Sequence, residues 1–374
     1  MEQDIFDTVL DDCDSMDGTT LDLIESVPTE EEYWQFSSDS LSSFLSLASQ
    51  FGWRSGSDLT AKSVSLTTSE DKDAIIARAT DFDSYLEVKI PLTSTRPISS
   101  TLIFPTTSLQ KTIQQCGKVV VMKKDSFLFM GKWIGIESVV LEPSAFIQSD
   151  PVEYKDNITL PNLTNLVPIA SSASIPRDRN LRFYKDFIQT TCLWTELRIP
   201  FKSQIPFILS AREASLLAKM DKDIRIGITQ SDLPRLVFKS SSSTLWVLYR
   251  SVEEETSKIE MPDWFIRTEY NQFAKIVSLS DTQSSSSGLL QFQYSEQNQF
   301  IVTYTSRLNN ASFILSTEAE GDPNIMEPSS IQTKILKMYI KPLLSPTLKI
   351  SWNNQVLYIA NNDSSVIVAL RFER

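Results

Sequence analysis

Glu269-Tyr270-Asn271-Gln272-Phe273-Ala274-Lys275-Ile276-Val277-Ser278-Leu279 places Tyr270, Phe273, Ile276 and Val277 at spacings of three and four. That period belongs to a helix with one buried face. A flexible polar turn over 284–288 follows, and then three segments, 289–294, 300–305 and 311–317, that alternate or run apolar. Their Val, Ile, Phe and Tyr content suits strands. Ser330 then opens a second helix to about Ile340, stopped before Pro342, and strands over 348–350, 356–360 and 365–372 close the chain. The order is helix, strands, helix, strands.

The same plan occurs twice upstream. In the first copy Asp39 caps a helix with Leu41, Phe44, Leu45 and Ala48 on one face, and strands follow over 63–67, 73–79 and 85–90. Pro105 and Thr106 open a second helix through about Cys116, with Leu109, Ile113 and Cys116 inward and Gly117 as its stop. Strands over 119–122, 126–130 and 134–141 complete it. The second copy starts near Pro143, and its first helix must fit within 160–174, where Pro161 and Pro168 restrict it. Strands are expected over 181–189 and 193–199, a helix capped by Ser210 to Met220, and strands over 224–229, 235–239 and 245–249 after it. A polar turn covers 240–243. The expected organisation is an acidic segment 1–35 followed by domains 36–148, 149–262 and 263–374, an α+β class with three repeats.

Charge is distributed unevenly. Residues 1–35 hold twelve acids and no Lys or Arg. Removing those from the 47 acids of the chain leaves 35, matched by 35 Lys and Arg, so the body is neutral and the net charge of −12 belongs to the N-terminal segment. A low overall pI therefore says nothing against a nucleic-acid partner for the body.

Histidine is absent, which removes His-based triads, imidazole bases and His-containing metal sites. Nine glycines form neither G-x-G-x-x-G nor a P-loop. Carboxylate pairs such as Asp81 and Asp83 leave acid/base or Mg²⁺ chemistry open, beside their reading as solvated turn residues. Cys13, Cys116 and Cys192 are odd in number, widely spaced and without a CxxC, which fits unpaired thiols in a reducing compartment. Neither a signal segment nor a run of 18 apolar residues occurs, so a cytoplasmic protein that does not enter membranes is expected. No enzyme activity, cofactor or metal is expected.

Basic and amide side chains occupy the outward faces of four of these helices. Lys334, Lys337 and Lys341 share a stripe, with Ile331, Ile335 and Met338 on another. Arg212, Lys219 and Lys222 share a face. Lys111 and Lys118 are seven apart with Gln114 and Gln115 beside them, and Lys275 sits with Asn271, Gln272 and Ser278. Any one stripe, taken alone, reads first as a solvated helix face. Recurrence on four helices, without interleaved aromatics or a recognition helix, favours sequence-independent contact with the duplex phosphate backbone.

At this point the chain resembles the three-domain sliding clamp of the bacterial replicative polymerase. Ala79-Thr80-Asp81, followed by Leu86 to Ile90 and Pro91, is similar to that family's Ala-Thr-Asp strand leading into an Ile-Pro edge. Ile259-Glu260-Met261-Pro262-Asp263-Trp264 resembles the Gly-x-Phe-Pro-Asp-Tyr stretch ending the second domain. Lys275-Ile276-Val277-Ser278-Leu279-Ser280-Asp281 resembles the third domain's Arg-Val-Ser-Leu-Leu-Ser-Asp, and Val366 to Phe372 resembles the terminal apolar strand. The correspondence spans about Phe36 to Phe372.

What the resemblance implies is the DNA clamp fold: a head-to-tail homodimer closed into a ring, helices lining the inside around double-stranded DNA and antiparallel sheets outside. The implied function is to tether a DNA polymerase for processive replication after loading by a clamp-loader ATPase. It also implies a pocket for partner peptides, carried by position onto Thr191, Leu193, Trp194, Met261, Pro262, Ala369, Leu370 and Phe372, which read equally as a closed domain interface. Departures occur where Thr190-Thr191-Cys192-Leu193-Trp194 replaces the family's Ala-Thr-Asp-Gly-His and where Glu373-Arg374 overhang. This divergence and the added acidic segment fit a phage or other viral branch, with host cytoplasm as its location.

The acidic segment has no counterpart in the family pattern. It reads as a solubilising tail, as a partner-docking segment, or as an acidic strand that competes with DNA. A clamp-fold adaptor or coactivator in transcription or the DNA-damage response, acting through that segment, is the alternative function, and an enzyme using carboxylates or Ser/Lys is a third.

Overall fold

The computed structural model describes residues 32–51, 58–94, 96–172, 179–192, 195–252, 263–282, 288–295, 297, 299–306, 310–315, 317–321, 330–353, 356–361 and 367–371. The chain divides into two compact units, Met1–Ser149 and Asp150–Arg374.

The first unit runs β1 (Trp34–Ser37), α1 (Ser38–Ala48), β2 (Ser63–Thr68), β3 (Ala74–Thr80), β4 (Ser84–Pro91), β5 (Leu102–Pro105), α2 (Thr106–Gln115), β6 (Val119–Lys123), β7 (Ser126–Phe129) and β8 (Lys132–Gly135). Its strands follow the antiparallel orders β1-β6-β7-β8 and β5-β2-β3-β4. The helices α1 and α2 pack on each other, and Trp34, Phe36, Phe44, Phe51 and Phe104 fill the interior. The expected stripe Leu41, Phe44, Leu45 and Ala48 is buried, as are Leu109 and Ile113 of α2.

Three local expectations for this unit need correction. Ser37, not Asp39, is the residue before α1, and its side chain makes no capping bond; Asp39 instead sits in the first turn, where its charge favours the helix dipole. Cys116 leaves α2 in an extended conformation and is only half-buried, so the stop comes one residue before Gly117. The strand expected over 134–141 is β8, which starts earlier because Phe129 pairs directly with Lys132. Met130 (φ 47) and Gly131 (φ 77) form the two-residue loop between them, both in the left-handed region that such hairpins require.

The second unit runs β9 (Val152–Thr159), α3 (Val167–Ser172), β10 (Asn180–Phe183), β11 (Phe187–Cys192), β12 (Thr195–Pro200), β13 (Phe207–Ser210), α4 (Ala211–Leu217), β14 (Asp223–Thr229), β15 (Arg235–Lys239) and β16 (Ser243–Leu248). It continues with β17 (Phe265–Glu269), α5 (Tyr270–Thr282), β18 (Leu289–Tyr294), β19 (Phe300–Thr305), β20 (Asn310–Leu315), β21 (Glu318–Glu320), β22 (Ser330–Gln332), α6 (Thr333–Ile340), β23 (Thr347–Trp352), β24 (Val356–Asn361) and β25 (Ile367–Arg371). A nine-stranded antiparallel sheet has the order β13-β10-β11-β12-β25-β24-β23-β17-β21; β16-β15-β14-β9 and β20-β19-β18-β22 are the other strand sets of this unit. The pairs α3 with α4 and α5 with α6 pack together.

Sequence and structure differ here in instructive ways. The strand expected over 181–189 is two strands, because Tyr184 donates its amide to the carbonyl of Phe187 at 2.8 Å and stacks its ring on Phe187 at 4.5 Å, turning the chain. Pro168 is the second residue of α3, where a missing amide is tolerated, and the helix is only six residues long. Ser210 caps α4 as expected, completing a reciprocal box with Glu213. The helix itself ends at Leu217, with Met220 in the turn after it.

Ser330 does not open α6, since residues Ser330–Gln332 pair with β18 and the helix starts at Thr333. This shifts the buried face. Ile331 is buried in a strand opposite Leu290, and Leu336, Tyr339 and Ile340 form the inward stripe, while Ile335 and Met338 are half-buried. On α5 the expected Phe273, Ile276 and Val277 are buried and Tyr270 is half-buried. The turn expected over 284–288 lies outside the described residues except for Gly288.

Gly227 marks the one register shift between β14 and β9. A Cβ there would stand 2.7 Å from Val152 Cγ1 and 2.8 Å from the Glu153 carbonyl oxygen, so the strands approach too closely for any side chain.

Two hydrogen bonds recur through the chain and define its repeat. Ser38, the first residue of α1, donates to the carbonyl of Lys118 (3.0 Å) and Tyr270, the first of α5, to that of Pro346 (3.0 Å), each the residue before a later strand; Leu160, three residues ahead of the 3₁₀ turn Leu163–Asn165 that precedes α3, makes the corresponding bond to Lys222 (2.9 Å). The residue entering each second helix does likewise: Thr106 to Lys62 (2.8 Å), Ala211 to Arg179 (2.9 Å) and Thr333 to Gly288 (3.0 Å). Five of these six bonds tie a helix entry to the strand entry beside it, satisfying one of the amides a helix start leaves open, and the sixth holds the chain ahead of the turn that leads into α3.

Candidate nucleic-acid interface and peptide pocket

Lys111 stands exposed on α2, away from buried Leu109 and Ile113. Lys118 is exposed in the segment that leaves α2, and its carbonyl holds the entry to α1. Lys219 and Lys222 are exposed in the turn after α4, whereas Arg212, on the helix, is half-buried. Those three therefore do not form one continuous helical face, because α4 is a turn shorter than expected. Lys275 on α5 and Lys334 on α6 are exposed, Lys337 is half-buried, and Lys341 is exposed in the 3₁₀ turn Lys341–Leu343.

The repeated hydrogen bonds reveal basic residues that spacing along the sequence does not. Lys62 and Arg179 are both exposed, and they occupy the same place relative to α2 and α4 that Gly288 occupies relative to α6. Lys118 and Lys222 are likewise equivalent, with Pro346 in the third position. The pair α1 and α2 thus has a basic residue at either entry, Lys118 and Lys62, while Arg179 stands at the entry of α4 and Lys222 beside the segment that leads into α3. The carboxylates flanking Lys222 are engaged by hydroxyls: Asp221 by Ser241 at 2.8 Å and Asp223 by Thr159 at 2.9 Å.

Of the peptide-pocket candidates, Thr191, Ala369 and Leu370 fall in the nine-stranded sheet, where β12 lies between β11 and β25. Thr191 is opposite Glu196, Glu196 is opposite Ala369, and Ala369 is opposite Tyr358, so one row crosses four strands. Leu370 is in register with Thr195 and with the wholly buried Leu357. Leu193, Trp194, Met261, Pro262 and Phe372 lie outside the described residues.

A polar network surrounds that row and was not anticipated. Glu196 Oε1 accepts from Gln189 Nε2 and from Arg198 Nε, each at 2.6 Å. The Tyr184 hydroxyl donates to Gln189 Oε1 at 3.0 Å, and Arg182 Nη1 donates to Thr191 Oγ1 at 3.3 Å. The Arg198 guanidinium also lies over the Phe187 ring, 4.9 Å from its centroid. Burial pushes the Tyr184 hydroxyl pKa above its ordinary value, against the pull of Arg182 and Arg198. Strand alternation could have found this set, since Gln189, Thr191, Glu196 and Arg198 share a parity once the hairpin is known.

Among the described residues, no group of three His, Cys, Asp or Glu side chains is placed to hold a metal ion, and no helix is long and apolar enough to cross a membrane. No family model matches the sequence, and no curated protein matches it. Solved structures do match in three dimensions. The DNA polymerase sliding clamp from Bacillus subtilis is 11% identical and superposes with a TM-score of 0.72 over 91% of this chain and 99% of that one. The DNA polymerase III beta chain from Streptococcus pneumoniae is 10% identical, with a TM-score of 0.72 over 92% and 100%. DNA polymerase III subunit beta from Borrelia burgdorferi, solved with a natural product, is 11% identical, with a TM-score of 0.71 over 93% and 100%. The chain has the fold of the bacterial DNA polymerase III sliding clamps, at a sequence identity that marks wide divergence from them.

Proposed function

We propose that this protein is a sliding clamp: a cytoplasmic, non-enzymatic homodimer of three-domain chains (36–148, 149–262 and 263–374) that closes around duplex DNA and tethers a polymerase. The observation that carries the reading is the arrangement of strand edges. Inside the second unit, β13-β10-β11-β12 joins β25-β24-β23-β17 through the β12–β25 ladder, Thr195 opposite Leu370 to Arg198 opposite Ile367. Two four-stranded sheets repeat the order of these halves, β1-β6-β7-β8 that of one and β22-β18-β19-β20 that of the other, and they end at β8 and β20.

Pairing β20 of one chain with β8 of a second reproduces the β12–β25 junction. Both edges carry an exposed apolar residue, Ile134 at 41% and Ile314 at 64% exposure. Open edges bearing isoleucine are a liability in a monomer and are protected by pairing. The contact is head-to-tail, so two chains make two such junctions and close.

Lys111, Lys118, Arg212, Lys219, Lys222, Lys275, Lys334, Lys337 and Lys341, with Lys62 and Arg179, then provide mobile phosphate contacts without base readout. Polymerase and clamp-loader peptides dock beside the Thr191–Glu196–Ala369 row. The decisive experiment is loading onto nicked circular DNA: a clamp stays on the circle and is lost when the circle is linearised. A protein lost equally from both forms is not a clamp. The mass in solution should be twice 42.3 kDa.

A further inference from the structure

Gln35, Asn157 and Arg267 each lie three residues before Ser38, Leu160 and Tyr270, whose amides meet the carbonyl at a strand entry. They sit on β1, β9 and β17. Direction alternates along a strand, so their backbone groups point to the outer edge of the sheet, away from the strand those amides reach. On β1 the chain itself covers that edge: the Gln35 carbonyl accepts from the Thr93 amide and the Tyr33 amide donates to the Arg96 carbonyl, both at 2.9 Å. On β17 it is covered by β21, antiparallel, with Arg267 opposite Glu318 and Phe265 opposite Glu320. β9 ends its strand set, with β14 on one side and, among the described residues, no strand on the other.

A carboxylate stands where the other two repeats place a strand. Asp156 accepts the Asn157 amide on Oδ1 at 2.9 Å and the Gln204 amide on Oδ2 at 2.8 Å. The Asn157 carbonyl is left open between a cleft of about 590 Å³, walled by Lys185, Asp186 and residues 202–204, and a second of about 360 Å³ that continues along β9 past Thr159. Three cations and three anions line the two clefts, but they differ in what already holds them. Asp156 is taken up by its two amides, Asp223 accepts from the Thr159 hydroxyl at 2.9 Å, and Arg225 lies over the Tyr154 ring, 4.4 Å from its centroid. Lys185, Lys202 and Asp186 are exposed and belong to no ion pair among the described residues. Two ammonium groups and one carboxylate therefore remain free, which favours an occupant that brings a carboxylate. Farther along the edge, beyond the register shift, Glu153 and Lys155 pair with each other at 3.7 Å.

We propose that the β9 edge from Asn157 to Thr159 takes an extended, carboxylate-bearing segment of a partner protein as an added strand, antiparallel as β21 is on β17. The Asn157 carbonyl accepts from the backbone of that segment, as Gln35 accepts from Thr93, and Lys185 or Lys202 pairs with its carboxylate. Main-chain bonds to the edge supply the affinity and the flanking side chains the selection. Every residue of the site belongs to one chain, so the proposal stands apart from the clamp reading.

The probe is a fluorescein-labelled peptide with the sequence of residues 317–321, Thr-Glu-Ala-Glu-Gly, titrated with the full chain and followed by anisotropy. Saturable binding is expected. N-methylation of the central amides removes the donors an added strand needs while keeping both carboxylates, and it should abolish binding. Lys185→Glu/Lys202→Glu, at two exposed positions, should weaken binding about tenfold by reversing the ion pairs. Asn157→Pro obstructs the edge without removing a bond to β14 and should abolish binding, with urea unfolding as the check on its fold. No saturable binding, equal binding of the N-methylated peptide, or unchanged binding to either variant overturns the proposal. A mass of the full chain in solution that Asn157→Pro lowers would give the edge to a second copy of this chain and overturn it as well.

Discussion

The backbone amide of Thr106 donates to the carbonyl of Lys62 over 2.8 Å, and Ala211 repeats the bond to Arg179 over 2.9 Å. Each bond fixes a basic residue at the entry of a helix that carries further lysines on or just after it. In the clamp reading these are phosphate contacts. K62Q/R179Q should therefore weaken duplex binding uniformly across sequences and flatten the plot of log affinity against log salt by about two, one counterion per contact. Fluorescence anisotropy at several salt concentrations measures it, and an unchanged slope removes both residues from the interface.

The open edges predict an asymmetric genetics of assembly. Ile134→Asp and Ile314→Asp each place a charge on one side of the same proposed β8–β20 junction, so either should yield the 42.3 kDa monomer at micromolar concentration. Mixing the two variants should restore dimer in part, because one of the two junctions in a mixed pair contains neither substitution. Sedimentation velocity reads both outcomes; a variant that stays dimeric shows that the edges are not the interface.

How much of this was legible follows from which interactions are local. Leu41, Phe44, Leu45 and Ala48 could be placed because a helix stripe is written in consecutive turns. Ser330 could not: it looks like a cap before an apolar run, and only its pairing with β18, a partner distant in sequence, makes it a strand. Tyr184 to Asp186 reads as part of one strand until Phe187 folds back on Tyr184. Lys62 and Arg179 were missed for the same reason, since each reaches its helix through a backbone bond from a residue far along the chain. Glu196 and Arg198 needed the register of β11, β12 and β25 before they could be seen beside Thr191 and Ala369.

Glu213 is a second-unit residue with two duties. Its carboxylate accepts from the Ser210 amide at 2.6 Å and pairs with Arg250 Nη2, while Ser210 Oγ accepts from the Glu213 amide at 3.2 Å. Ser210→Ala should cost about 1 kcal/mol of stability, the usual loss of an N-cap. Glu213→Ala should cost more, about 2 to 3 kcal/mol, because it also leaves the partly buried Arg250 without its carboxylate. Urea denaturation with unchanged m-values separates the two, and equal losses would show that Arg250 contributes nothing.

Gly227→Ala tests the close approach of β14 to β9. Its Cβ meets the Glu153 carbonyl at 2.8 Å, which is backbone and cannot swing aside. The strands must separate, at a cost of about 1 to 3 kcal/mol. A parent-like denaturation midpoint would show that the bulge relaxes freely.

Cys116 is the described thiol whose titration can be followed. Burial raises its pKa from 9.0 to about 11, and its sulfur donates to the Thr112 carbonyl at 3.4 Å. Both favour the neutral thiol. At pH 8 the thiolate fraction in the folded protein is then about a hundredfold below that of the unfolded chain. Alkylation of Cys116 by iodoacetamide, followed by peptide mass spectrometry, should slow by about that factor on folding. The sign for stability follows from the raised pKa: the fold is favoured by the protonated thiol below pH 9, and that contribution declines as pH rises through about 11. Cys116→Ser should make the midpoint of urea unfolding fall less steeply with pH across that window than in the parent, the remainder belonging to groups such as Tyr184 that titrate there too. A parent and variant with parallel pH profiles from 8 to 11 would show that the thiol is solvated in the folded state.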